Sequence, residues 1–172
     1  LATCSMNDRV ATLLEGRRGR IARGLGRDLA QPEVHESPLA PESREHLLGE
    51  ARDLYWNELE WENLMEEEVS DTGEPLTELM FPGLLAFVRG LLLTETNPDA
   101  LAPAEPRPQV VEDLLRFLAE RLLELDDQLG AGGEDVPQLE AERLATDRLI
   151  DLVLFRYHGL SADDVSALER AG

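Results

Sequence analysis

The sequence contains no lysine; all sixteen basic side chains are arginine. That removes a common phosphate clamp, although arginine can replace it. There is one cysteine, Cys4, which excludes an internal disulfide and a cysteine-ligated zinc site. Aromatic residues make up only 5% of the chain. No apolar run approaches the roughly 18 residues of a membrane span; the run from Leu149 to Phe155 is broken by Asp151. No stretch alternates apolar and polar residues over the length of a strand, and no internal repeat is visible. The glycines between Gly16 and Gly26 follow no strand and precede no lysine, so they do not make a phosphate-binding loop. No Ser, His and Asp set stands in a hydrolase context. There is no Glu-x-x-His, the paired motif of di-iron helical bundles.

Carboxylates are what the chain has in abundance. Thirty-six acids against sixteen arginines give a net charge of −20. Together with the absence of lysine, this points to a protein kept soluble in concentrated salt, where surface carboxylates hold water and cations and salt screens their repulsion. A cytoplasmic location is expected, with Met6 as the natural start and Leu1 to Ser5 as an upstream extension. A chain of 172 residues is long enough to bury a core without staples.

Charge divides the chain unevenly. Residues 1–31 hold six arginines and three acids, +3, and residues 32–172 hold ten arginines and thirty-three acids, −23. The division predicted is therefore an Arg/Gly-rich amino-terminal arm, 1–31, and an acidic all-helical domain, 32–172. Within the arm, Asn7 to Glu15 reads as a short helix, and the glycines beyond it speak against a strong isolated one. Arg17, Arg18, Arg20, Arg23 and Arg27 are candidates for contact with nucleic-acid phosphates or with a protein partner. No aromatic residue interleaves them, so base stacking lacks support. Docking on the protein's own acidic surface, or on a partner's, is the favoured use.

Helical periodicity accounts for the rest. Residues 31–41, with Pro32, Pro38 and Pro41, form a linker. A long helix over 42–69 follows, carrying both tryptophans; wound at about 100° per residue, it puts Leu47, Ala51, Leu54, Trp61, Met65 and Val69 on one stripe, with Leu48, Tyr55 and Leu59 beside it. Trp56 faces away. Pro82 opens an apolar helix to Leu93, expected to lie centrally. Residues 97–108 form a proline-rich loop. Residues 108–129 give a leucine arc, and Pro137 to His158 gives a helix that is apolar nearly all round from Leu149 to Phe155. Ser161 and Asp164 cap a last short helix, Ala162 to Arg170. The fold class predicted is all-α, a bundle of about five helices with a basic amino-terminal arm.

Two glutamates break the pattern. Glu58 and Glu62 lie inside the stripe of the long helix, one turn apart, and a buried carboxylate needs a partner. Arginines from neighbouring helices are the first expectation, with Arg143, Arg148 or Arg89 as the pairing residue. The alternative is a metal site: Glu58 and Glu62 facing Asp147 and Asp151, four carboxylates able to hold Mg²⁺ for an all-α nucleotide hydrolase. Glu124 and Asp127 have the Glu-x-x-Asp spacing of all-α nucleotide pyrophosphohydrolases but point away from the leucine arc, and the other four are spaced i, i+4, so the chain is not assigned to that family. Asp71-Thr72-Gly73 is the aspartic-protease tripeptide without the preceding strand or the second copy that the chemistry needs. His35, His46 and His158 lie near helix ends or in linkers and read as surface histidines.

The function expected is a non-enzymatic helical interaction module, an adaptor or accessory subunit of a salt-adapted cytoplasm. It takes no cofactor and works through a protein partner or self-association, not at a membrane. The alternatives are the Mg²⁺-dependent hydrolase and a nucleic-acid-associated regulator acting through the arginine arm.

Overall fold

The computed structural model describes residues 5–31, 40–69, 81–92, 107–133 and 136–171, with only the backbone over 60–69. His35, the Asp71-Thr72-Gly73 tripeptide, most of both proline-rich segments and the side chain of Glu62 lie outside the described residues. Those residues form six helices and no strand: α1 Met6–Leu25, α2 Pro41–Val69, α3 Pro82–Leu92, α4 Pro108–Ala131, α5 Val136–Tyr157 and α6 Ala162–Ala171. The fold is all-α, built of packed helices. Pro41, Pro82 and Pro108 each stand first in a helix, where the missing N–H costs nothing and φ is already helical.

Two compact units divide the chain: Leu1–Pro32 with Leu115–Gly172, and Glu33–Leu114. One cut, between residues 32 and 33, falls beside the charge boundary at residue 31, and the other, between 114 and 115, lies within α4. The basic amino-terminal segment belongs with the carboxyl-terminal helices, and α4 contributes to both units.

In the first unit, α1 is longer than its glycines lead one to expect. It starts at Ser5, whose hydroxyl accepts from the Asp8 amide at 3.1 Å, and continues through Gly16, Gly19 and Gly24 to Leu25. Three interior glycines cost a helix about 3 kcal/mol. Val10, Leu14 and Ile21 are buried, and burial of each contributes about 1.5–3 kcal/mol, so tertiary packing outweighs propensity. Gly24 also has a packing reason. A Cβ there would stand 2.5 Å from a methyl of Leu168, so a larger residue at 24 would make the Leu168 side chain on α6 shift. Gly26 ends the helix at φ 69°, with its N–H turned back to Ala22 and Arg23, a conformation that suits a residue without Cβ. The core is completed by Leu115, Leu118, Leu122 and Leu125 of α4 and by Leu149 to Phe155 of α5, all buried.

In the second unit, Ala51, Tyr55 and Leu59 are buried while Leu47, Leu48 and Leu54 are half-buried. Among the described side chains of α2, the deepest line runs from Ala51 of the expected stripe to Tyr55 and Leu59 on its flank. The cause is aromatic: the Tyr55 ring stacks on Phe81, centroids 5.7 Å apart, and draws that face inward. Trp56 is 43% exposed. Helix α3 buries Leu84, Leu85, Val88 and Leu91 but exposes Ala86, Arg89 and Gly90, so it covers one side rather than sitting at the centre.

Candidate functional site

The residues most charged with chemical potential are the arginines of α1 and the two aspartates of α5. Arg17 fills a position that the apolar spacing of α1 leaves open: Val10, Leu14 and Ile21 are buried on the same helix, and 17 falls one turn after 14 and one before 21. Opposite it, Asp147 and Asp151 are one turn apart on α5. One guanidinium serves both. Arg17 Nη1 donates to Asp151 Oδ1 at 3.1 Å and to the Asp147 carbonyl oxygen at 3.2 Å, while Nη2 donates to Asp147 Oδ1. Arg20 closes the set, its Nη2 donating to the other Asp151 oxygen at 2.6 Å. The Asp151 side chain is 10% exposed and that of Arg17 is 17% exposed.

This is how a carboxylate survives inside an apolar run. Isolated, it would cost several kcal/mol; with both oxygens hydrogen-bonded to guanidinium groups the loss of water is made good. Burial opposes the charge on Arg17, but the hydrogen bond and field of Asp147, and then those of Asp151, outweigh it and hold the arginine above its ordinary pKa.

The same helix makes further internal pairs. Arg9 reaches Asp127 of α4 at 3.3 Å. Arg18 Nε donates to His158 Nε2 at 3.1 Å, and its guanidinium lies over the Tyr157 ring, 5.6 Å from the centroid. Just past the helix, Arg27 donates to Asp164 at 2.7 Å. Asp164 in turn accepts from the Ser161 amide and donates its own amide to the Ser161 hydroxyl, each at 3.1 Å, the reciprocal cap foreseen for α6. Arg27, then the Ser161 amide, hold the Asp164 carboxyl down at a pKa of about 2. Arg23 stands exposed in the last turn of α1.

Histidine 158 is not a surface residue. It is 4% exposed, covered by Arg18 and by the chain leaving α1: its Nδ1 lies 2.7 Å from the carbonyl oxygen of Ala30. The glycine after it, at φ 65°, reads as a helix stop, but nothing local in the sequence shows that another segment lies over the ring. His46 is exposed and faces Glu50 at 3.2 Å.

Glu58 belongs to the other unit and has a different answer. Its two oxygens accept from the backbone amides of Gly83, at 2.5 Å, and Leu84, at 3.0 Å. It therefore caps α3 from outside, taking two of the N–H groups that a helix start leaves unpaired. Of the three arginines expected beside it, Arg143 pairs with Asp126, Arg148 pairs with Glu169 at 2.5 Å, and Arg89 stands exposed on α3. Among the described residues, no three His, Cys, Asp or Glu side chains gather as a metal site would require. Glu124 lies 3.3 Å from Arg121, which also pairs with Glu142 at 2.6 Å.

No family model matches the chain, and comparison with curated proteins and with solved structures finds no match.

Proposed function

We propose that the chain is a non-enzymatic helical interaction module, an adaptor or accessory subunit of a salt-adapted cytoplasm. One observation carries this reading: among the described residues, the charged side chains singled out as a possible metal or phosphate site are largely spent on partners within the chain. Arg17 and Arg20 neutralise Asp147 and Asp151, and Glu58 caps a helix. What the described surface presents to a partner is carboxylate, with Trp56 at 43% and Leu144 at 69% exposure as its large apolar side chains. A partner of complementary, arginine- or lysine-rich surface fits that chemistry.

The test has two arms. Crosslinking of the tagged full chain in its own cytosol at molar KCl, followed by mass spectrometry, is expected to recover a defined complex or a homo-oligomer that dilutes away as carboxylates are neutralised. Calorimetric titration with Mn²⁺ and a nucleotide-hydrolysis assay are expected to show neither saturable binding nor turnover. Saturable Mn²⁺ binding with hydrolysis, both lost in Glu58→Gln and in Asp147→Asn, overturns the reading in favour of the Mg²⁺-dependent hydrolase. Tight DNA binding at high salt, weakened in Arg23→Gln, overturns it in favour of the regulator.

A further inference from the structure

Helix α1 buries one side, through Val10, Leu14 and Ile21, and turns the opposite side to solvent. At helical spacing Asp8, Thr12, Glu15, Gly16, Gly19 and Arg23 fall there within one arc of about 100°. All are exposed except Gly19, which is half-buried. The arc has a charge order. Its carboxylates, Asp8 and Glu15, stand in the amino-terminal half, and its guanidinium, Arg23, stands in the last turn. Arg20 lies at the edge of the arc, its side chain 56% exposed although one nitrogen is given to Asp151. Between the two ends the arc is small. Among the described residues, a Cβ at Gly16 would meet nothing within 4 Å, and one at Gly19 would meet only Arg23 Nη1, at 3.3 Å, from the same helix. Glycine weakens a helix interior, and the packing of the described residues gives no return for it at Gly16.

We propose that this face of α1 pairs with the same face of a second copy of the chain, the two helices running antiparallel. A two-fold axis at Gly16 makes the contact isologous: what one copy offers, the other receives. Asp8 and Arg23 lie at nearly equal distances on either side of that axis, about 11 Å along the helix at 1.5 Å per residue. Each Asp8 therefore comes level with Arg23 of the other copy, and carboxylate meets guanidinium at both ends. A parallel pair would set like charges side by side. Packed helix axes lie about 8–10 Å apart, according to the side chains between them, and glycine at the crossing allows the near end of that range. Charge selects the occupant. Each copy carries both halves of the complement, whereas nucleic acid would meet Asp8, Glu15 and a net charge of −20 along with the arginines. The paired arc is about 23 Å long, and one helix pair of that length covers less than the roughly 1,200–2,000 Å² of a stable interface, so the dimer is weak and reversible. The inference deepens the interaction-module reading and rests on it in taking protein as the partner.

Sedimentation equilibrium of the full chain at molar KCl, where the long-range repulsion between copies of net charge −20 is screened, tests the pairing. A reversible monomer–dimer equilibrium is expected. Gly16→Leu, for which the monomer has room, is expected to raise the dissociation constant by about tenfold or more, since two enlarged side chains collide at the axis. The melting temperature of dilute protein should not fall with it. Asp8→Arg and Arg23→Glu should each weaken the dimer by about fivefold. Combined in one chain they should restore it, because the exchanged charges meet again only when the helices run antiparallel. A chain that stays monomeric up to about 1 mM overturns the proposal. So does a dimer indifferent to Gly16→Leu, or a loss in the single charge variants that the double variant does not recover. A monomer retained on duplex DNA at molar KCl and released in Arg23→Glu overturns it in favour of a nucleic-acid surface. A monomer that crosslinking still recovers in a defined complex overturns the dimer and leaves the interaction-module reading standing, whereas a dimer with saturable Mn²⁺ binding and hydrolysis supports the pairing and overturns that reading.

Discussion

Arg17 of α1 meets Asp151 of α5 at 3.1 Å, inside the apolar run Leu149 to Phe155. The pair fixes the register of one helix on the other: moved by one residue, the guanidinium would face Ile150 or Leu152, both buried, and the carboxylate would be left without a partner. Arg20 on the second oxygen and Asp147 on the second nitrogen turn the pair into a four-residue network.

Asp151→Ala and Arg17→Met are each expected to cost about 1.5–3 kcal/mol, since each leaves a partly buried charge with one partner fewer: Arg17 keeps Asp147, and Asp151 keeps Arg20. The double change Arg17→Met with Asp151→Leu is expected to fall well short of the sum, as buried pairs replaced by apolar residues often do. Urea unfolding at molar KCl measures all three. Additive costs would show that the pair is not a unit.

Glu58 and Gly83 make a sharper test. A Cβ at Gly83 would stand 2.5 Å from Glu58 Oε1, at the free end of a flexible side chain that can swing away, giving up its cap. Glu58→Ala should cost about 1 kcal/mol through the orphaned amides. Gly83→Ala should be close to neutral, since alanine in a helix gains about 0.5–1 kcal/mol over glycine and the lost cap offsets it. In the Glu58→Ala background the same Gly83→Ala is expected to stabilise. Thermal melts of the four proteins read the coupling, and a Gly83→Ala effect that is identical in both backgrounds would dismiss the cap.

These residues also show what sequence makes legible. The helices of residues 41–171 announce themselves through prolines at their starts, leucines on their arcs and the Ser161–Asp164 cap, all local signals. The first half of α1 reads as a short helix, Asn7 to Glu15, but its continuation to Leu25 is hidden because three glycines argue against it locally, while what stabilises it is remote. The signal was present in two pieces: an apolar spacing through Val10, Leu14 and Ile21 with arginine in the gap, and two aspartates one turn apart on an apolar helix. Neither piece names the other. Glu58 illustrates the same limit. Its misplacement inside the stripe was readable, and so was the helix start at Pro82, but that one answers the other depends on tertiary placement.

Asp164 sets an acid limit on the first unit. Its carboxyl sits at a pKa of about 2 against an ordinary 3.8. A depressed folded pKa contributes stability that is present above the unfolded value and is lost as pH falls through the folded one. The contribution should therefore disappear between about pH 4 and pH 2. A ¹³C titration of the carboxyl is expected to return toward the ordinary value in Arg27→Gln, since Arg27 is the largest cause. A midpoint unmoved by that change would assign the shift to Ser161 alone.

Salt should stabilise this protein, although it weakens the ion pairs just described. The two effects differ in reach. Exposed pairs contribute at most about 1 kcal/mol each, whereas a net charge of −20 repels itself over distances that exceed the Debye length of about 3 Å at molar salt. The buried part of the Arg17–Asp151 network is screened least, so molar KCl removes far more repulsion than attraction. Melting is expected to rise by at least about 5 °C from dilute buffer to molar KCl, equivalent to some 2 kcal/mol at this chain length. Neutralising three acids, Glu15→Gln, Glu120→Gln and Glu140→Gln, should raise melting in dilute buffer and flatten its salt dependence, because each removes repulsion before salt can. Circular dichroism melts across the KCl series give both slopes. A melting temperature indifferent to salt in the natural chain, or unmoved by the triple change, would mean that the acidic surface is not a burden that concentrated salt relieves.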